Sequence, residues 1–247
     1  MTINNIQFLY PRSAFDCDMF RPEIEAFEKC GFIVDDIPHE NVQLMLYRGF
    51  RMWKESEYPS DFRLWQGWDA YKSTSMLSIY YPLIEDICIP TFFIDKLDEE
   101  NIIREMEKRD WDSVFIKNDV KSLFCIDLTA SVYPLHTIDE IRENFDKRPK
   151  MEGSKYAIRK YINTGVEWPN EERYFVINNQ IFHRTGVIPS IVQEAAKRLQ
   201  KLGSHYYTID AMPDFIVEIN PGESSDRWGA NSPELFASWF MKALQKY

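Results

Sequence analysis

The sequence predicts a mixed protein, α/β at its start and α+β afterwards, on three observations. Its opening reads strand, helix, strand, the usual start of a parallel sheet. From about residue 112 onward short strands with tight-turn signals alternate with helices, an antiparallel sheet covered on one side. Two neighbouring apolar runs, Tyr206-Tyr207-Thr208-Ile209-Asp210 and Phe215-Ile216-Val217-Glu218-Ile219-Asn220-Pro221, carry oxygen-bearing side chains near their ends.

Ile6 to Tyr10 is a first strand, stopped by Pro11. Met19, Phe20, Ile24 and Phe27 recur at helical spacing between Asp18 and Cys30, and Gly31 supplies the stop. Phe32 to Val34 and Leu44 to Tyr47 are the second and third strands. Residues 53 to 71 are aromatic and irregular and read as a loop with short helical turns, its rings packing as core or lid. Lys72 to Tyr81 predicts a helix that Pro82 ends or kinks. A strand over Pro90 to Ile94, a helix over Glu99 to Lys108 and a strand over Ser113 to Lys117 follow, with Leu123 to Ile126 as hairpin partner. Thr137 and Glu140 form a capping box before a helix to Phe145. Tyr156 to Ile162 is a strand. Glu172 to Ile177 and Gln180 to His183 flank Asn178-Asn179, a tight hairpin signal. A helix from Ser190 to Leu202 ends at Gly203, and Ser232 to Gln245 is a closing helix. The pattern divides near 88–95, predicting an N-terminal α/β unit over 1–90 and a second unit over 91–247.

Composition narrows the function. The 247 residues include ample apolar and aromatic content for a sizeable core. A net charge of −10 argues against a nucleic-acid partner. No apolar run approaches the roughly 20 residues that span a bilayer, and the start lacks a signal-peptide pattern. No membrane partner is expected, and the reading is a cytoplasmic globular protein. Cys17, Cys30, Cys88 and Cys125 are scattered and read as free thiols. The four histidines form no metal-protease or triad-like pattern.

The chemistry concentrates in charged residues on apolar elements. Glu218 and Asn220 are two apart on a strand and share a face. If the two runs pair, Asp210 joins them, making a hard-oxygen set of the kind Mg²⁺ uses beside nucleotide phosphates. Lys117 closes an apolar strand. Lys72 begins the predicted helix, where a cation opposes the helix dipole. Arg173 and Arg184 stand on opposite arms of the hairpin. Taken singly, these charges are commonly surface lysines or ion pairs with Glu171 and Glu172. Arg48 and Arg51 follow the third strand, at the carboxyl edge where α/β folds bind ligands, and Arg227 lies just beyond Asn220 in sequence.

The order of these pieces resembles the ATP-grasp superfamily, which includes D-alanine–D-alanine ligases, glutathione synthetases and peptide-tagging glutamate ligases. The matching pieces are Tyr71-Lys72, Ile89-Pro90-Thr91, Val114-Phe115-Ile116-Lys117, Ile158-Arg159-Lys160-Tyr161-Ile162, Glu172-Arg173-Tyr174-Phe175-Val176, Ile209-Asp210 and Val217-Glu218-Ile219-Asn220-Pro221. The resemblance covers roughly residues 70–245, preceded by a small β-α-β unit like the one before the ATP-grasp unit. It is nearest to a compact bacterial and phage clade noted for one arginine and two lysines.

The resemblance implies ATP and Mg²⁺ as cofactors. It places Lys72 and Lys117 on the α- and β-phosphates and Lys160, Tyr161 and Ile162 in an adenine-reading hinge. Asp210, Glu218 and Asn220 hold Mg²⁺, and Arg173 with Arg184 neutralises the transferring γ-phosphoryl group. Arg48, Arg51 and Arg227 are the candidates for meeting a substrate carboxylate. The implied reaction joins a small-molecule or peptide carboxylate to an amine through an acyl phosphate. An ATP-grasp phosphotransferase and a non-catalytic nucleotide-binding module remain open beside it. Two departures stand out: Asn118 to Leu123 contains no glycine where the family has a mobile phosphate loop, and Arg159-Lys160 replaces a glutamate often found before the hinge.

Overall fold

A computed structural model of the chain describes residues 5–60, 62–120, 129–162, 171–227 and 232–245. The opening is parallel, as its pattern predicts: β1 (Ile6–Leu9) pairs with β2 (Ile33–Asp35) and β3 (Leu44–Tyr47) in the order β2-β1-β3. Helix α1 (Arg21–Lys29) crosses between the first two strands and stops at Gly31, whose φ of 86° needs no Cβ. Ile24 and Phe27 of α1 pack with Phe8 and with Phe236 and Phe240 of the closing helix α7 (Pro233–Leu244). The same core takes in Phe175, Ile177 and Tyr206 from a second sheet, so the first and last elements share one interior.

That second sheet is antiparallel, in the order β11-β10-β8-β9, built from β8 (Glu172–Ile177), β9 (Gln180–Phe182), β10 (Tyr206–Ala211) and β11 (Ile216–Pro221). Asn178 and Asn179 turn the β8–β9 hairpin at φ of 50° and 61°, a left-handed pair that asparagine tolerates. The other face of this sheet is covered by α3 (Leu77–Ile84) and α6 (Ser190–Leu199) through Tyr80, Val192, Ala195, Tyr207 and Ile209.

The third sheet, β4-β7-β5-β6, comprises β4 (Thr91–Ile94), β5 (Val114–Asn118), β6 (Val132–Tyr133) and β7 (Tyr156–Lys160). Helices α4 (Glu99–Arg109) and α5 (Ile138–Asp146) cover one face with Ile102, Met106, Ile141 and Phe145. Thr137 caps α5 with the expected box: Glu140 N donates to its Oγ1, and its own N–H donates to Glu140 Oε2.

Four expectations change. Lys72–Tyr81 is two helices, α2 (Trp68–Ser75) and α3, broken at Met76, which is extended at φ −99°, ψ 115°. Lys72 therefore lies in the last turn of α2, where its charge agrees with the helix dipole. Pro82 sits inside α3 rather than ending it. Strand β7 stops at Lys160, short of the predicted Ile162. The expected hairpin partner at Leu123–Ile126, with Cys125, lies outside the described residues, and β6 is the strand paired with β5 there.

Candidate functional site

Strand β10 organises the site. Asp210 is aligned with Arg173 of β8 on one side and Glu218 of β11 on the other, and a bulge follows it. Alternation puts Arg173 on the face of Phe175 and Ile177, toward the first core. Arg173 Nε and Nη2 each donate to Asp210 at 2.7 Å, a bidentate pair, while Nη1 donates to Asp226 Oδ1 at 2.6 Å. Asn220, two residues beyond Glu218, stands on the same face. Its Nδ2 donates to Glu218 Oε1 at 2.8 Å and Asp210 Oδ2 at 3.2 Å. The expected convergence of Asp210, Glu218 and Asn220 on one face is therefore present in these contacts.

Other elements close on this face. Lys117 of β5 is buried and donates from Nζ to Glu218 Oε2 at 2.7 Å, so the third sheet reaches the second through one ion pair. Its direction follows from alternation: Ile116 belongs to the core under α4 and α5, and Lys117 faces the other way. Arg51, just beyond β3, donates from Nη2 to Asn220 Oδ1 at 3.1 Å. Its Nη1 is enclosed and has no hydrogen-bond partner. Burial pulls the Arg51 guanidinium below its ordinary value, with Tyr71 and Glu218 opposing.

Glu171 belongs to this cluster and was not singled out from the sequence. Burial, with Asp210 and Glu218 nearby, pushes its carboxyl up to about 8. Period two was the available signal: Glu171 and Arg173 share a face, and Glu172 does not. Burial also pushes Asp210 up, and Arg173 beside it offsets that by favouring the carboxylate. Asp226 had no sequence signal, because it lies in an irregular segment.

Three arginines read as site residues stand elsewhere. Arg48 is fully buried and holds Glu23 through Nε at 2.7 Å and Nη2 at 2.9 Å, while Nη1 donates to the carbonyls of Gly222 and Ser225. It ties α1 to the segment after β11 and is enclosed away from any substrate. Arg227 donates to the Met19 carbonyl at 3.0 Å and lies 3.2 Å from Glu23, again a structural tie. Arg184 pairs with Glu172 at 2.5 Å, and Glu172 points to the opposite face of β8 from Arg173. Glu23 itself was readable: with Phe20, Ile24 and Phe27 it completes a helical stripe, and an acid on an apolar stripe demands a cation.

The remaining expectations are placed as follows. Lys72 is half-buried on α2, which packs against β11. In the expected hinge, Lys160 N–H donates to the Pro90 carbonyl at 2.9 Å and Tyr161 N–H to that of Ser113 at 3.2 Å, so these two amides serve the sheet. Lys160 is exposed, and Tyr161 and Ile162 are half-buried. The glycine-free stretch beyond Val120 lies outside the described residues up to 128.

Among the described residues no three His, Cys, Asp or Glu side chains group as a metal site. The set at β10–β11 is two carboxylates and an amide, hard oxygens of the kind Mg²⁺ accepts when phosphates complete its shell. The unpartnered Nη1 of Arg51 beside it is a donor awaiting an anion. The residues fit a Mg²⁺-nucleotide.

No protein-family model and no curated protein sequence matches the chain. Solved structures do. D-cycloserine synthetase DcsG superposes with a TM-score of 0.64 at 13% identity, covering 98% of this chain and 99% of that one. The macrocyclase MdnC of Microcystis aeruginosa MRC, bound with precursor peptide MdnA, gives 0.58 at 12% identity over 96% and 99%. The ATP-grasp ligase PsnB, complexed with minimal precursor, Mg and ADP, gives 0.55 at 11% over 98% and 99%.

The chain has the ATP-grasp fold.

In an ATP-grasp fold two sheets face each other, and here Lys117 and Glu218 are the pair that joins them. Among the described residues no helix of this ATP-grasp chain is long and apolar enough to cross a membrane.

Proposed function

We propose that this protein is an ATP- and Mg²⁺-dependent ligase that joins a carboxylate to an amine through an acyl phosphate. The observation that carries the reading is the convergence of Asp210, Glu218 and Asn220 on one strand face, with Lys117 of the facing sheet on Glu218. The solved structures similar to it include a ligase with Mg and ADP and two enzymes with precursor peptides, which supports a small-molecule or peptide substrate pair.

Asp210, Glu218 and Asn220 would hold Mg²⁺. Bound there, it supplies positive charge that bridges the phosphates and offsets the charge developing in transfer. Lys117 and Lys72 hold the α- and β-phosphates as point charges. The segment Lys160-Tyr161-Ile162 borders the adenine. Arg51 orients the attacking carboxylate. A carboxylate oxygen attacks the γ-phosphorus, the bond to the β-phosphate oxygen breaks, and ADP leaves. Arg173 neutralises the transferring phosphoryl group. The amine nitrogen then attacks the acyl carbon, the bond to phosphate breaks, and the nitrogen gives up a proton. Catalysis by positioning and charge needs no serine or cysteine nucleophile.

The test is the thermal midpoint with ATP and Mg²⁺, with ATP and chelator, and with neither. A ligand at about 100 times its Kd stabilises the folded state by about 2.7 kcal/mol, so the Mg²⁺-dependent rise is measurable. Glu218→Gln and Asn220→Ala abolish the rise while the proteins stay folded. No rise at millimolar ATP sinks the nucleotide site, and phosphate retained on product instead of released marks a phosphotransferase.

A further inference from the structure

Beside the charged cluster the rim turns apolar. Phe50 adjoins Arg51 in sequence and is 41% exposed, and Met19 is 46% exposed. Both are anchored to the site by short chains of contact. Phe50 meets the edge of Phe20 at 5.2 Å, and Phe20 follows Met19. The Met19 carbonyl accepts from Arg227, next to Asp226, which accepts from Arg173. From Arg173 the contacts run through Asp210 and Asn220 back to Arg51. The contacts thus close on themselves, with the metal-ligand set on one side and two large exposed apolar side chains on the other.

On this circuit Arg51 is the group left unfinished. Nη2 donates to Asn220, and Nη1, enclosed by the protein, donates to nothing. A guanidinium has donors only, so the missing partner is an acceptor, and a carboxylate meets it best. Exposed aromatic and thioether side chains next to that donor gain by losing water to an apolar group.

Resting on the ligase reading above, we infer that the acid substrate carries an apolar or aromatic group next to its carboxylate. The carboxylate meets Arg51 Nη1, and the apolar group lies on Phe50 and Met19. Small acids leave the rim wet, and acids with a second charge place that charge against Phe50 without a partner. The amine is not constrained by this surface.

Hydroxylamine serves as the probe amine. It attacks the acyl phosphate at carbon, phosphate departs, and a hydroxamate forms that is read by its iron complex. With ATP and Mg²⁺, 3-phenylpropanoate, L-phenylalanine and L-leucine are compared with acetate and succinate. At least one of the apolar acids gives kcat/KM about tenfold or more above acetate and succinate, the ratio that burying one such group produces. Phe50→Asp and Met19→Asp reduce that ratio toward one, and Phe50→Leu keeps it. Arg51→Gln raises KM for the acid and leaves the Mg²⁺-ATP thermal shift in place. Higher rates with acetate or succinate, an unchanged ratio in Phe50→Asp, or hydroxamate from none of the acids while the thermal shift persists would each overturn the assignment. A thermal shift lost in Arg51→Gln would give Arg51 to a phosphate and overturn it too. Failure of the ligase reading is separate: it shows as no Mg²⁺-ATP shift in the unaltered protein.

Discussion

Glu223 lies in the turn after β11, buried, with Oε1 accepting from Gln66 Nε2 and Oε2 without a partner. Burial pushes its carboxyl up from 4.5 to about 7. A carboxyl held above its unfolded value favours folding while it keeps its proton. That contribution is complete below about pH 4.5 and is lost as pH rises through about 7. Glu223→Gln removes this loss, so the variant gains on the order of 3 kcal/mol over wild type well above pH 7. Midpoints of both proteins across pH 5 to 9 check this, and parallel curves would refute it. Arg48→Ala acts oppositely at all pH values. It leaves Glu23 buried beside Tyr10 with its bidentate partner gone, at a cost of about 3–5 kcal/mol by urea denaturation. The site was legible where strand period two applied, as for Asp210, Glu218 and Asn220. Arg48 and Arg227 were misplaced because a strand-end arginine looks the same in sequence whether its acid is a substrate or Glu23 of a distant helix.

Elements were legible where their ends are chemically marked. Thr137-x-x-Glu140, Gly31, Gly203 and Asn178-Asn179 each mark an end or turn found in the structure. The α2–α3 break was not, because no glycine or proline stands at Met76 and the cause is tertiary. Asp119, beyond β5, accepts from Ser78 N at 2.6 Å and Ser78 Oγ at 2.5 Å, and its carbonyl accepts from Leu77 N at 2.9 Å. A residue more than 40 positions away thus caps the start of α3 in place of a local N-cap. Asp119→Ala costs about 1–2 kcal/mol in urea denaturation. An effect below a few tenths would mean that α3 starts without it.

At the scale of the molecule, the change of pattern near residue 90 marks a change of sheet, while the first core does not part there. Phe8 stacks on Phe27 at 3.9 Å and meets the edge of Phe240 at 5.0 Å, and Phe27 meets Phe236 at 5.8 Å. The parallel order was legible from the β-α-β opening, but contacts between the first and last elements have no local signature. Phe240→Ala, at about 3–5 kcal/mol, destabilises β1–β3 and the β8–β11 sheet together. Amide exchange should speed in both, and a change confined to α7 would show that the core is not shared. The packing of α1 against α7 also sets an order of events during synthesis. The ribosome releases β1 and α1 long before α7 exists, so Phe8 and Phe27 lack their cover for most of translation. A chain stalled before Ser232 keeps its opening segment open to protease, and emergence of the last helix closes it.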